Sequence, residues 1–180
     1  TSEIYVRNSS GGGSSGGSGG GGSSSDNDST VIERPDKDDP TTPTTAETKT
    51  VKADSKGNVV ITRSMVADAI SIAQADARKN GNTANGIAVV VPMEIDKTLD
   101  SVQITLKADA LDKLVSSSVK RFTIDANRMA DFGFTLDTLK ELNGQTSGDV
   151  ILKIKTTAVS SQEAKAAIGS RSAYDITLWY

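Results

Sequence analysis

The hydrophobic pattern divides the chain near Thr50. Before it, apolar residues occur only as short patches; after it, runs with strand and helix periodicity alternate to Tyr180. Val59-Val60-Ile61 predicts a short strand behind a turn at Asp54-Ser55-Lys56-Gly57-Asn58. Val66, Ala69, Ile70, Ala73 and Ala77 then recur at three-and-four spacing, which predicts one long helix of about four turns, capped by Thr62 or Ser64 and stopped at Asn80-Gly81. Its stripe is narrow and alanine-rich, the form that lets a helix lie close to a sheet. The β-branched run Ile87–Val91, ended by Pro92, predicts a strand buried on both faces. Val102, Ile104 and Leu106 alternate with polar residues and predict a strand with one wet face.

A pattern then recurs. Ile104-Thr105-Leu106 leads through Asp109 to Leu111 and Leu114, and Phe134-Thr135-Leu136 leads through Asp137 to Leu139 and Leu142. Each copy predicts a strand, an Asp cap and a short helix. Phe122-Thr123-Ile124 and Phe132-Gly133-Phe134 between them predict a hairpin around Asn127-Arg128. Val150–Ile154 predicts another strand, Ser160 or Ser161 a cap for a short helix through Ile168-Gly169, and Tyr174, Ile176 and Leu178 a last strand. The expected fold is α+β: a single twisted mixed sheet packed by one long and several short helices, in two layers, preceded by a disordered tether.

The tether is defined by composition. Residues 11–25 are only Gly and Ser, which cost much entropy to order and bury nothing. Residues 26–50 are rich in acids, Thr and Pro, with Pro35, Pro40 and Pro43 biasing the backbone towards extended conformations. The expected organisation is therefore residues 1–10 as the end of a preceding module, carried by Ile4-Tyr5-Val6 or else a few apolar residues at a flexible end; residues 11–50 as linker; and residues 51–180 as an α+β surface-protein module. A strand so close to Tyr180 predicts that the module continues beyond it. The absence of an initiating Met predicts an excised piece whose leader and anchor lie elsewhere.

Charge follows the same boundary. The formal net charge is −3, from 20 basic and 23 acidic residues. Residues 1–50 hold eight acids and four bases, a net −4, which leaves 15 acids and 16 bases in the other 130 residues. A nearly neutral body without a basic stripe excludes nucleic acid as the expected partner. There is no Cys and no His, so thiolate and imidazole metal sites, disulfides and Ser-His-Asp or Cys-His catalysis are excluded, and no cofactor or metal is expected. No run approaches the ~20 apolar residues of a membrane-spanning helix.

Four weak chemical signals remain. Ser117-Ser118-Val119-Lys120 has the Ser-x-x-Lys spacing of penicillin-recognising enzymes, but lacks their Ser-Asp-Asn and Lys-Thr-Gly partners and predicts a helix-to-strand turn instead. Asp26, Asp28, Asp36, Asp38 and Asp39 are oxygen donors suited to Ca²⁺, yet prolines extend the chain where a calcium loop must turn. Glu94 and Asp96 follow a strand and are candidates for a carboxylate pair. Trp179-Tyr180, the adjacent aromatics, are candidates for a sugar platform.

The body resembles a module of large cell-surface proteins of Gram-positive bacteria, found between adhesin-type β-repeat modules and S-layer homology domains. The resemblance covers about Val59 to Tyr180. It rests on the helix with its Gly81 stop, on Val102–Leu106 followed by Ala108–Leu114, on Phe134–Leu139, on Ser147-Gly148-Asp149-Val150-Ile151-Leu152, and on Glu163–Ile176. Family members often have Pro after the Arg, where this chain has Ser172. The resemblance implies an extracellular, envelope-attached, non-catalytic module whose partners are neighbouring modules of the same chain. It carries over no site residues. A cell-wall polymer or host glycan, met by loops at Ala126-Asn127-Arg128 or Asn143-Gly144-Gln145, is the expected partner of an adhesion module, the second reading; an accessory domain of a polysaccharide-degrading enzyme is the third.

Overall fold

The computed structural model describes residues 4–7, 42–127, 129–158, 161–162, 166 and 173–180. The described elements run β1 (Ile4–Arg7), β2 (Thr44–Glu47), β3 (Val51–Lys52), β4 (Asn58–Ile61), α1 (Arg63–Lys79), a 3₁₀ turn (Thr83–Asn85), β5 (Ile87–Glu94) and β6 (Ser101–Leu106). They continue with α2 (Ala108–Ser116), β7 (Arg121–Asp125), β8 (Asp131–Thr135), α3 (Leu136–Gln145), β9 (Val150–Thr157) and β10 (Ala173–Trp179). The fold is α+β with mixed sheets.

The strands form two sheets rather than the single sheet expected. The first has the order β1-β8-β7-β5, with β2 and β3 laid end to end along the far side of β5; the second has the order β10-β9-β6-β4. The division arises because each of α1, α2 and α3 carries the chain from one sheet to the other. The units β4-α1-β5 and β6-α2-β7 cross from the second sheet to the first and lie side by side, with β4 parallel to β6 and β5 parallel to β7. The unit β8-α3-β9 crosses back, antiparallel to its predecessor in both sheets. Thus the two recurring segments of the sequence are opposed across the fold, and the β4-α1-β5 unit is a third, parallel copy.

One core serves both sheets. It takes Val59, Ile61, Ile104, Leu152 and Ile154 from the second sheet and Val89, Val91, Phe122, Ile124 and Phe132 from the first. The period of two along β6, β7 and β8 leaves each with a dry face and a wet one. The Phe122 and Phe134 rings, in register across the β7–β8 hairpin, have centroids 6.0 Å apart. The helix α1 presents Val66, Ala69, Ile70, Ala73 and Ala77 inwards, the stripe its periodicity predicts, against β2 and β5.

Most helix ends are fixed by hydrogen bonds; at the start of α1, however, Thr62 occupies the cap position without the expected side-chain bond to the helix, and its hydroxyl pairs with that of Ser64 instead. After α1, Gly81 is left-handed at φ 68°, its N–H donates to Arg78 O at 3.3 Å, and Asn82 N–H donates to Ala77 O at 2.8 Å. This paired closure recurs after α2, where Ser118 takes the left-handed position at φ 52°, Ser118 N–H donates to Val115 O and Val119 N–H to Leu114 O. The expected Asp caps are replaced. Asp109 and Asp137 each occupy the second helical position, where a negative charge favours the helix dipole, while Thr135 Oγ1 caps α3 by accepting from Thr138 N at 3.3 Å. The start of α2 is capped from a distance by Asp149.

The body also begins earlier than the boundary expected at Val51, because Thr44–Glu47 pairs with β5 in parallel. β5 runs through Pro92 to Glu94 rather than ending there. Val90 and Glu94 accept hydrogen bonds from Thr48 and Ala53, so the side of β5 that faces β2 and β3 is also the side on which Pro92 lacks its N–H. The pairing register slips by one residue at that point, and this separates β2 from β3. Ile4–Arg7 lies antiparallel on β8, in register from Ile4 with Phe134 to Arg7 with Asp131. The helix expected from Ser160 or Ser161 through Gly169 falls largely outside the described residues.

Candidate functional site

The most elaborated polar site lies where the tether enters the body. The Gly81 turn that ends α1 sets Asn82 beside the incoming chain, and Asn82 Nδ2 donates to Thr42 O at 3.0 Å and Thr44 Oγ1 at 3.1 Å. Asn85 Nδ2 in turn donates to Asn82 Oδ1, so one amide orients the other. Thr44 N–H donates to Gly86 O at 3.1 Å, which starts the β2–β5 ladder. Asn82, just past the end of α1, thus fixes Thr42 and Thr44 of the chain entering the sheet.

Beside this joint is an open groove of about 340 Å³, lined by Gln74, Arg78, Thr83, Ser117, Ser118 and Lys120 and floored by Ala77, Ala84, Gly86 and Ile87. Gly86 has φ 76°, and a Cβ there would stand 2.7 Å from Lys120 Cγ, so the lysine stem lies directly over the glycine. Arg78 belongs to the last turn of α1, and Lys120 follows the end of α2. Arg78 therefore stands where α1 presents its partial negative charge, whereas Lys120 lies four residues beyond the end of α2. The hydroxyls of Thr83, Ser117 and Ser118 leave the groove able to hydrogen-bond a polar chain.

The Ser-x-x-Lys candidate resolves into this groove wall. Ser117 ends α2, Ser118 is left-handed, Val119 is buried and Lys120 N–H donates to Ile87 O at 2.9 Å, so no helical turn stacks Lys120 on Ser117. Glu94 is paired with Lys52 at 3.0 Å on the surface, which raises the Lys52 ammonium above its usual range through that hydrogen bond. Asp96 instead accepts from Thr98 N and Thr98 Oγ1 at 2.9 and 2.7 Å, as a turn residue does. The Asp54 turn forms as its sequence predicts: Asp54 Oδ1 accepts from Lys56 N and Asn58 N, both at 2.8 Å. The bond from Asn58 leads in holding the Asp54 carboxyl below the usual carboxylate range.

Of the loops expected to meet a glycan, Asn143-Gly144-Gln145 is the last turn of α3, and Ala126 is buried in a tight turn closed by Ala126 N–H donating to Ala130 O. Asn127 is exposed at φ 53°, with its N–H bound by Asp125 Oδ1 at 2.8 Å; Arg128 lies outside the described residues. Trp179 is 47% exposed, but it shares its face of β10 with Thr177 and Asp175, while Tyr174 and Leu178 on the other face pack against the core. The five candidate calcium acids lie outside the described residues. Among the described residues no three acidic side chains gather as a metal site, and no helix is long and apolar enough to cross a membrane.

The second built polar site is a clamp on α2. Lys107 Nζ lies 2.6 Å from Asp149 Oδ2, and Ala108 N–H donates to Asp149 Oδ1 at 2.9 Å. The hydrogen bond from Lys107 leads in lowering the Asp149 carboxyl, and the same contact raises the Lys107 ammonium. Sequence reading missed both clamps; the only local signals were the Asn80–Asn82 cluster and the Ser147-Gly148-Asp149 turn. Compared with family models, curated proteins and solved structures, the chain finds no match.

Proposed function

We propose that this chain is a non-catalytic spacer or stalk module of a secreted bacterial protein attached to the cell envelope, holding neighbouring modules of the same chain at a distance. The observation that carries this reading is the joint. A low-complexity Gly/Ser and Pro/Thr/acidic segment leads straight into β2, and Asn82 fixes that entry at Thr42 and Thr44. Tension arriving along the tether would pass into the β2–β5 ladder and from there into the shared core. The near-neutral body fits a role in packing rather than in binding an anionic polymer. The sequence resemblance to envelope modules of Gram-positive bacteria agrees with this reading.

The second reading, an adhesion or glycan-binding module, is favoured by the groove beside the joint, whose hydroxyls and cations suit a polyol or acidic sugar. Pull-down of the full chain on purified wall polysaccharide and peptidoglycan, together with a glycan array, separates the two. The spacer reading expects no retention above that of an unrelated acidic protein. Saturable retention that is lost in a Lys120→Ala variant would replace it with the second.

A further inference from the structure

The edge strand β1 is joined to the body in an unusual way. It pairs with β8 over four residues, and residues 8–43 separate it from β2 on the opposite side of the same sheet. The order β1-β8-β7-β5-β2 puts four strand spacings between them, about 19 Å. A chain of 36 residues reaches up to about 120 Å, and one of Gly/Ser-rich composition averages about 33 Å between its ends. The connection is therefore several times longer than it needs to be to close on its own sheet, and its length does not select its own β8 over a neighbour's.

The β8 edge nevertheless needs a partner. Its inward residues Phe132 and Phe134 are buried, so its register is fixed, and an open edge with that pattern recruits strands. Asp131 stands opposite Asp125 of β7 on one side, a like-charge pair, and opposite Arg7 of β1 on the other. The backbone register alone therefore sets Arg7 in the same row as Asp131, and the antiparallel ladder is what holds β1 to the edge. Every one of these pairings is identical whether β1 comes from the same chain or another.

We propose that Ile4–Arg7 is an exchangeable strand, and that the β8 edge takes the Ile4–Arg7 segment of a second copy of this chain, reciprocally in a dimer. Exchange conserves the ladder, so only entropy opposes it. A long connection of this kind sets an effective concentration of order millimolar, above which docking on a neighbour competes with docking on the same chain. Crowded copies would interlock while dilute copies would close on themselves. The inference stands on β1, β8 and the length between them, and is independent of the spacer reading.

The absence of Cys makes the test direct. Full chains carrying only Arg7→Cys and only Asp131→Cys are mixed, oxidised and run without reductant, beside a control mixture of Arg7→Cys with Ser116→Cys. The expected result is a disulfide-linked dimer in the first mixture at several times the control, rising with total concentration towards the millimolar range. Equal yields in the two mixtures across that range would overturn the proposal. Light scattering on the unsubstituted chain provides a readout independent of Asp131: a concentration-dependent dimer that disappears when residues 1–7 are removed is expected, and a monomer throughout, or a dimer that survives the deletion, contradicts it.

Discussion

The carboxylate of Asp149 holds α2 from outside it, taking Ala108 N–H on one oxygen at 2.9 Å and the Lys107 ammonium on the other at 2.6 Å. The relationship follows from sheet register. Leu106 at the end of β6 pairs with Val150 at the start of β9, so the residue before β9 must lie beside the residue that opens α2. One side chain thereby ties a helix N terminus to a strand more than forty positions away. Asp149→Ala is expected to cost about 1 kcal/mol, as for loss of a helix cap, and Asp149→Asn less; urea unfolding at pH 7 measures both.

The same clamp sets a pH dependence. The folded Asp149 carboxyl is lowered, so its contribution is present above the ordinary carboxylate range and is lost as pH falls through its folded value. The Lys107 ammonium is raised, so its contribution is complete below the ordinary lysine range and is lost as pH rises through its folded value. The clamp is expected to be intact across the window between. Urea midpoints taken from neutral to acidic pH should fall less steeply in Asp149→Asn than in the parent chain, and parallel curves would show that the carboxylate contributes nothing.

The two helix closures make opposite predictions. Ser118 sits at φ 52° where Gly is the unstrained residue, so Ser118→Gly is expected to stabilise by about 1 kcal/mol. Gly81 sits at φ 68° with no atom within 4 Å of a built Cβ, so Gly81→Ala is expected to cost about 1 kcal/mol through backbone strain alone. Thermal unfolding of the two variants should move in opposite directions.

Gly57 differs from Gly81 in its surroundings. Its φ is 81°, a Cβ would stand 2.3 Å from Ser101 O, and its own carbonyl accepts from Gln103 N–H at 2.9 Å. Strain and a backbone clash act together, so Gly57→Ala is expected to cost roughly 2–4 kcal/mol, with the loss visible as a lower denaturant midpoint. A cost equal to that of Gly81→Ala would mean that β4 and β6 separate freely at this point.

At the joint, Asn82→Ala removes both side-chain bonds to the entering chain. The expected result is faster hydrogen exchange at Thr44, Ala46 and Thr48 with little change in the amides of β9. Uniform acceleration throughout the body would instead make Asn82 a general stability residue rather than a fastening for the tether.

Local periodicity made much of this fold legible. The α1 stripe, the β7–β8 hairpin and the strand that became β9 are each written in neighbouring residues. What was hidden depends on pairing at a distance. Thr44–Glu47 buries little besides Ala46 and sits among prolines, so nothing local marks it as a strand; only the free side of β5 makes it one. The separation into two sheets follows from helices that cross between them, which alternation along one strand does not report. The Asp149 and Asn82 clamps join residues about forty positions apart, so the sequence supplied side chains of the right type without their partners.

The central claim is that the body is one cooperative mechanical unit fastened to its tether at β2. Single-molecule extension of the full chain, held at its two ends, tests this most directly. The expected trace has an early low-force event as β1 leaves β8, releasing roughly 120 Å of chain, followed by one larger step at higher force that lengthens the chain by about 450 Å as β2 to β10 unravel together. Lengthening of the body in several small steps, or without any step above the baseline, would contradict the account.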